Sequence, residues 1–119
     1  MVTINKIIEQ VDEVILNTFD EEMKFHWLAN LDGQISRLVL QSEEPVVYEY
    51  PKDMDRNLLV DAPFDGIYAM YLEAQIHLHN REYDDYNNAA MVYSSLLDEY
   101  KKWYIRENRP KSAGNFYNI

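Results

Sequence analysis

The fold is decided by the stretch LLVDAPFDGIYAMYLEAQIHLHNREYDDYNNAAMVYSSLLDEYKKW, residues 58–103. In its second half, apolar and aromatic residues recur every three or four positions, which places them on one face of a helix. These residues are Tyr86, Ala89, Ala90, Tyr93, Leu96, Leu97, Tyr100, Trp103 and Tyr104. Polar residues occupy the opposite face. The pattern therefore predicts an amphipathic helix of about 24 residues, on the order of 36 Å long.

The first half of the stretch predicts a second helix, antiparallel to the long one. Asp61 and Pro63 mark its start, since proline is tolerated in a first helical turn. Its apolar residues form two stripes: Ile67, Met70, Tyr71, Ala74 and Leu78 in one, and Tyr68, Leu72 and Ile76 in the other. A helix with two apolar stripes packs against neighbours on both sides. We therefore expect this helix to be central, with both stripes in the core.

Two further helices are predicted before residue 42. Thr3 can cap the first. Thr18 and Glu21 form a capping-box pattern that opens the second, although Asp20 is an alternative cap. The second helix is predicted to direct five polar residues outward: Lys24, Asn30, Asp32, Arg37 and Gln41. Gly33 lies inside it at a cost of up to about 1 kcal/mol relative to alanine, which indicates either close approach of a neighbouring element or plain tolerance.

Between the helix pairs, residues 46–60 contain two short extended runs. VVYEY, residues 46–50, and Leu58–Val60 are rich in β-branched, aromatic and aliphatic residues, and Pro51 ends the first run. They form either a small β-hairpin or a pair of extended packing segments. Two strands alone are marginal, so they need the helices or a neighbouring subunit for stability.

The sequence therefore predicts a mainly α fold: about four helices packed as a small bundle, with a short β-hairpin or extended segments at 46–60. A chain of 119 residues suits one domain, which we place at 1–108. Residues 109–119 contain Pro, Gly and Ser without periodicity, so we expect a mobile C-terminal tail. Apolar residues at its end, such as Phe116, are of the kind that anchor a tail on a partner.

The charge of the chain is unevenly distributed. Residues 1–100 carry 20 acidic and 6 basic residues, a net charge of −14, whereas residues 101–119 carry 1 and 5, a net charge of +4. The acidic body argues against unaided binding to nucleic-acid phosphates, which needs a basic patch, so no sequence-specific nucleic-acid binding is expected. No apolar run reaches the ~18 residues that span a bilayer, so no membrane partner is expected. The first residues lack a secretory signal, and a cytoplasmic location follows by default.

No motif for catalysis or cofactor binding is found, so we predict that the chain is not an enzyme and takes no cofactor. There is no cysteine and there are only 3 glycines, which disfavours a phosphate-binding loop. His77 and His79 are two positions apart on a helix and point in nearly opposite directions, so they do not share a metal ion. We accordingly predict no catalytic, cofactor-binding or metal-binding residues.

Three stretches together resemble a known family. They are WLANLDGQI at 27–35, LLVDAPFDGIYAMYLEAQIHLHNREYDDYNN at 58–88 and YKKWYIRENRP at 100–110. In combination they are similar to the small head-tail connector, or adaptor, proteins of tailed bacteriophages and prophages. These are also described as DNA-packaging or phage structural proteins.

The resemblance implies a mainly helical virion assembly protein that forms a homo-oligomeric ring below the portal. Its partners would be other copies of itself and portal or tail-completion proteins, and DNA would only pass through the conduit. In such rings the terminal segments and the loop between helices tend to contact neighbours. The protein-interaction residues predicted on this basis are Val46, Tyr48, Tyr50, Met54, Arg109, Lys111, Phe116, Tyr117 and Ile119.

Two alternative functions remain at this point. One is a different phage tail or morphogenesis component, since small acidic helical proteins are common there. The other is an acidic regulatory protein that binds a host protein, for which the charged body is the support. For the connector, the implied location is the host bacterial cytoplasm during assembly and afterwards the virion.

Overall fold

A computed structural model describes residues 1–108, and four α-helices account for most of them. The helices are α1 (Ile4–Val14), α2 (Glu21–Leu38), α3 (Gly66–His79) and α4 (Tyr83–Glu107). The prediction of a mainly helical fold with about four packed helices is confirmed. Within this part of the chain, no helix is long and apolar enough to cross a membrane.

The first two helices begin at side-chain caps. The Thr3 hydroxyl oxygen accepts a hydrogen bond from the Lys6 backbone N–H, as predicted. At α2 the cap is Asp20, whose carboxylate accepts a bond of 2.9 Å from the Met23 N–H, so the alternative cap is the correct one. Helix α3 begins later than predicted, at Gly66, because the residues before it form a turn.

Helix α3 is the centre of the fold and packs against all three other helices. Both of its apolar stripes contribute to the core, although Leu78, at the end of the first stripe, is exposed. The buried members are Ile67, Tyr68, Leu72, Ala74 and Ile76. The rest of the core comes from one face each of α1 and α2 and from the segment between α2 and α3. Its residues include Ile4, Ile7, Ile8, Val11, Phe25, Leu28, Leu31, Ile35, Leu58 and Val60.

Helix α4 is 25 residues long and therefore extends well beyond α3, which has 14. A Cβ on Gly66, at the start of α3, would lie 3.7 Å from Leu96 Cδ1, which marks the level at which α3 begins beside α4. The remaining turns of α4 pack on Phe64 and on the end of the α2–α3 segment. Its predicted inner face is mostly half-buried; Ala89 and Tyr100 are buried, whereas Trp103 is exposed.

The predicted β-hairpin at 46–60 is wrong, and the alternative of extended packing segments applies. Among residues 1–108 the only β-type pairing is an isolated antiparallel bridge between Thr3 and Asn57. The Met54 carbonyl accepts a hydrogen bond from Asn5 N–H, and the Leu58 N–H donates to the Val2 carbonyl. The segment thus uses its backbone groups to hold the start of α1, and its two runs do not pair with each other.

Gly33 allows the α2–α3 segment to approach α2 closely. A Cβ at this position would lie 3.3 Å from the Val46 carbonyl oxygen, which is tighter than an ordinary contact. The Val46 N–H, in turn, donates to the Ser36 hydroxyl at 2.9 Å. The close approach predicted from an interior glycine is confirmed.

This contact predicts a graded response to side-chain size. Gly33→Ala gains up to about 1 kcal/mol of helix propensity, which offsets a small shift of Val46. Gly33→Val is expected to destabilise the fold by about 1–3 kcal/mol, because its branched side chain forces the segment away from α2. Denaturant unfolding measures both. Gly66→Ala is the matched control, since a Cβ there meets only ordinary contact; an equal effect of Gly33→Val and Gly66→Ala would contradict this account.

Candidate interaction surface

A buried carboxylate holds the α2–α3 segment in place. Asp32, in α2, has no exposed surface. It accepts hydrogen bonds of 2.6 Å from both the Tyr48 and the Tyr68 hydroxyl groups and one of 2.9 Å from the Leu59 N–H. The Tyr68 hydroxyl oxygen also accepts the Val60 N–H at 2.8 Å. We call these five residues the Asp32 network; it connects α2, α3 and both extended runs.

Burial governs the ionisation of this network. It raises the pKa of Asp32 above its usual value, while the hydrogen bonds from Tyr48, Tyr68 and Leu59 act in the opposite direction. Burial and the neighbouring Asp32 carboxylate both raise the pKa of Tyr48 and of Tyr68. Both tyrosines therefore remain protonated donors at neutral pH. Every buried side-chain polar atom in the described residues has a partner, so the network is a structural element with no open position for a substrate.

A second polar anchor joins α1 to α2. Lys24 is buried, and its Nζ lies 2.8 Å from each carboxylate oxygen of Asp12 and 3.2 Å from Asn17 Oδ1. The sequence prediction that Lys24 and Asp32 lie on the outer face of α2 is wrong. Both charged groups are satisfied by partners on other elements, which is the condition for burying a charge.

Tyr48 and Met54, two of the predicted interaction residues, belong to the core. Tyr48 donates to Asp32, and Met54 packs in the hydrophobic core, so both side chains have an intramolecular role. Tyr50 is half-buried against Phe25, with ring centroids 5.2 Å apart. Val46 is also half-buried. The other predicted residues, Arg109, Lys111, Phe116, Tyr117 and Ile119, lie outside the described residues.

An open groove of about 720 Å³ separates α2 from the segment 45–48. Its walls combine apolar side chains with amide and cationic groups. The lining residues are His26, Ala29, Asn30, Gly33, Gln34, Arg37, Leu38, Pro45, Val46, Val47 and Tyr48. Leu38 and Val47 expose 71% and 74% of their surfaces. Exposed apolar side chains beside a concave surface are typical of a protein-binding site. We call this feature the α2 groove.

One wall of the α2 groove offers free backbone donors. The N–H of Val46 is bound to Ser36 and that of Glu49 to the Asp53 carboxylate. Within residues 1–108, no protein group accepts a hydrogen bond from the N–H of Val47 or Tyr48. Backbone donors of this kind can pair with an added peptide segment. Sequence reasoning identified the exposed apolar run here, but not the groove, because α2 forms its other wall.

A smaller cavity of about 290 Å³ lies where α4 extends past α3. Aromatic side chains form much of it: the ring centroid of Phe64 is 5.6 Å from that of Tyr100 and 5.2 Å from that of Trp103. Leu40 and Asn108 also line it. The described part of α4 therefore ends beside the C-terminal end of α2.

The structure brings together potential metal ligands that the sequence did not suggest. Ligand atoms of His77, Glu82 and Asp85 lie within 4.8 Å of one another, and His77 Nδ1 is 2.9 Å from Glu82 Oε1. His79 instead contacts the Gln75 carbonyl oxygen. Both carboxylates flank the start of α4, where the helix dipole already favours negative charge. A hydrogen bond between His77 and Glu82 within the turn accounts for this arrangement.

Comparisons of the chain with protein-family models, with curated proteins and with solved structures find no match. In the described residues, the α2 groove, of about 720 Å³, lies beside a predicted interaction segment.

Proposed function

We propose that this chain is a virion assembly protein: a head-tail connector that forms a homo-oligomeric ring below the portal of a tailed phage or prophage. It would act in the host bacterial cytoplasm during assembly and remain in the virion. Its partners would be other copies of itself and portal or tail-completion proteins. In this proposal the protein catalyses no reaction, and it functions by binding other proteins through its surface.

The main observation behind the proposal is the α2 groove, whose wall is held in place by the Asp32 network. The groove combines exposed Leu38 and Val47 with unpaired backbone donors, and the Asp32 network holds its wall. Such a surface suits a protein partner, because a preorganised site loses little conformational freedom on binding. The most conspicuous buried titratable group, Asp32, is by contrast fully enclosed by its own partners.

The stretches that resemble connector proteins contain Gly33 and most residues of the Asp32 network. The stretch 27–35 contains Asp32 and Gly33, and the stretch 58–88 contains Leu59, Val60 and Tyr68. These residues supply the carboxylate, two of its three hydrogen-bond donors, the Val60 N–H that donates to Tyr68, and the glycine contact. The resemblance therefore involves residues with a definite structural role, which supports a shared fold and, with it, the proposed function.

In this proposal the negative charge of residues 1–100 helps DNA to pass through the ring. A conduit wall with negative charge repels DNA phosphates, so DNA can slide through without binding. Residues 1–100 carry the excess of 20 acidic over 6 basic residues. A density map of the assembled ring in which basic residues line the channel would contradict this part of the proposal.

Electron microscopy of the protein mixed with its cognate portal tests the function directly. We expect additional ring-shaped density at the exit of the portal. Free protein can remain monomeric before it meets this template, so gel filtration of the protein alone is not the test. Unchanged portal particles, at protein concentrations well above that of the portal, would overturn the proposal.

Removal of residues 109–119 separates folding from assembly. The hydrophobic core and both polar anchors lie within residues 1–108, so we expect the melting temperature of the truncated protein to stay within a few degrees of the full chain. Ring density on the portal should be lost or strongly reduced. Melting is followed by circular dichroism and assembly by microscopy. A large drop in melting temperature would show instead that the tail is part of the core.

A further inference from the structure

We propose that the α2 groove binds residues 109–119 of a second copy of this chain, so that each copy donates its tail to the next. The inference rests on the proposed function and deepens it, because it names the segment that joins neighbouring copies. The contact is heterologous, with a different surface on each partner. Repetition of such a contact closes into a ring when the rotation between copies permits.

The tail has the composition that the groove requires. Phe116, Tyr117 and Ile119 supply large apolar groups. In α2, Ala29 lines the groove with a small side chain, which leaves room beside it for an aromatic ring. An extended peptide along the segment 45–48 can accept a hydrogen bond from one free N–H group of the groove wall, since adjacent N–H groups of an extended chain point to opposite sides. Binding of this kind needs no rearrangement of α2 or of the segment 45–48.

Charge complementarity determines which end of the tail lies where. Asp20 and Glu22 are exposed at the start of α2 and line a shallow depression that shares His26 and Asn30 with the groove. They lie about 17 Å along the helix from the level of Gly33 at ~1.5 Å per residue. Residues 111 and 116 are five apart and span at most about 18 Å. Lys111 can therefore pair with these carboxylates while Phe116 enters the groove.

The same geometry excludes the chain's own tail from this arrangement. Asn108 lines a cavity together with Leu40, beside the C-terminal end of α2. Arg109 and Lys111 follow it by one and three residues, so they lie at most about 4 and 11 Å from Asn108. The acidic residues are at the other end of α2, which is 18 residues or about 27 Å long. A tail from a second copy can run in the opposite direction and satisfy both contacts.

Disulfide trapping in the full-length chain tests the contact, since the protein has no cysteine of its own. Val47→Cys is made in one preparation and Phe116→Cys in another that carries a size tag, and the two are mixed under mild oxidation. We expect the mixed disulfide to form several-fold faster than in the matched control, Met91→Cys mixed with Phe116→Cys. Met91 is similarly exposed, at 67%, but lies on α4.

Two further variants complete the test. Glu22→Lys in the Val47→Cys preparation should lower the rate of mixed disulfide formation, and added salt should lower the rate of the unaltered pair. The chain that carries both Val47→Cys and Phe116→Cys reports binding of its own tail. If that variant closes an intrachain disulfide and the mixture forms none, the proposal is overturned. Equal rates for Val47→Cys and Met91→Cys, or no effect of Glu22→Lys, would overturn it as well.

This experiment and the portal experiment fail independently. Ring density on the portal without preferential trapping would refute the tail contact and leave the proposed function standing. Preferential trapping without any portal density would support the contact between copies and refute the proposed function.

Discussion

Asp32→Ala is expected to lower the free energy of unfolding by about 3–5 kcal/mol, a large part of the stability of a domain of this size. The substitution leaves two tyrosine hydroxyls and the Leu59 N–H buried without an acceptor, and each unsatisfied group costs about 1–3 kcal/mol. Denaturant unfolding followed by circular dichroism gives the change. We expect the variant to have a clearly lower midpoint.

Three further variants help to interpret the effect of Asp32→Ala on stability. Asp32→Asn keeps the shape of the side chain and one acceptor oxygen, but it turns an NH₂ group toward one of the donors. We therefore expect a loss of stability smaller than that of Asp32→Ala. Tyr68→Phe removes one donor and leaves the Val60 N–H without its acceptor. Asp98→Ala, on the exposed face of α4, removes only a surface pair with Lys102 and should change stability by less than about 1 kcal/mol. If Asp32→Ala behaved like Asp98→Ala, the network would not hold the fold together.

Alkaline solution is expected to unfold the protein cooperatively. The pKa values of Tyr48 and Tyr68 are raised by burial and by Asp32, and burial raises that of Tyr93 to about 12. Unfolded tyrosine has a pKa of about 10. The folded chain therefore retains these protons above pH ~10 while the unfolded chain loses them, so stability is complete below that pH and falls above it. Each tyrosine that keeps its proton in the folded chain and loses it in the unfolded chain lowers the free energy of unfolding by about 1.4 kcal/mol per pH unit.

Parallel titrations of tyrosinate absorbance and of circular dichroism measure this effect. The chain has 10 tyrosines. We expect exposed ones to ionise first, and the buried ones to ionise together with the loss of helix. Tyr83, which is 58% exposed, supplies the control: Tyr83→Phe should reduce the first phase and leave the second at the same pH. A single smooth titration of all tyrosines with unchanged dichroism would contradict the assigned burial.

Local patterns in the sequence were sufficient to predict the helices and several of their details. Helical periodicity located all four, the hydroxyl of Thr3 indicated the first cap, and an interior Gly33 indicated a close contact. Each of these features depends on residues that are neighbours in sequence or on the intrinsic cost of one residue type. They are therefore readable without knowledge of the tertiary structure.

The buried charges could not be predicted in the same way. Asp32 and Lys24 are of types that are almost always exposed, and periodicity alone placed them outside. Their burial depends on partners far along the chain: Tyr48 is 16 positions from Asp32, and Tyr68 is 36. The groove was missed for the same reason, since its walls come from α2 and from a segment that begins only after α2 has ended.

The arrangement of the Asp32 network has a mechanical consequence. Its donors come from the groove wall, from the run before α3 and from α3 itself, and all converge on one carboxylate. A pull on the groove wall therefore loads the Tyr48–Asp32 hydrogen bond and, through the shared carboxylate, the other two segments that donate to it. The segment between α2 and α3, which has no regular secondary structure, is thereby coupled through Asp32 to α3, the helix at the centre of the fold.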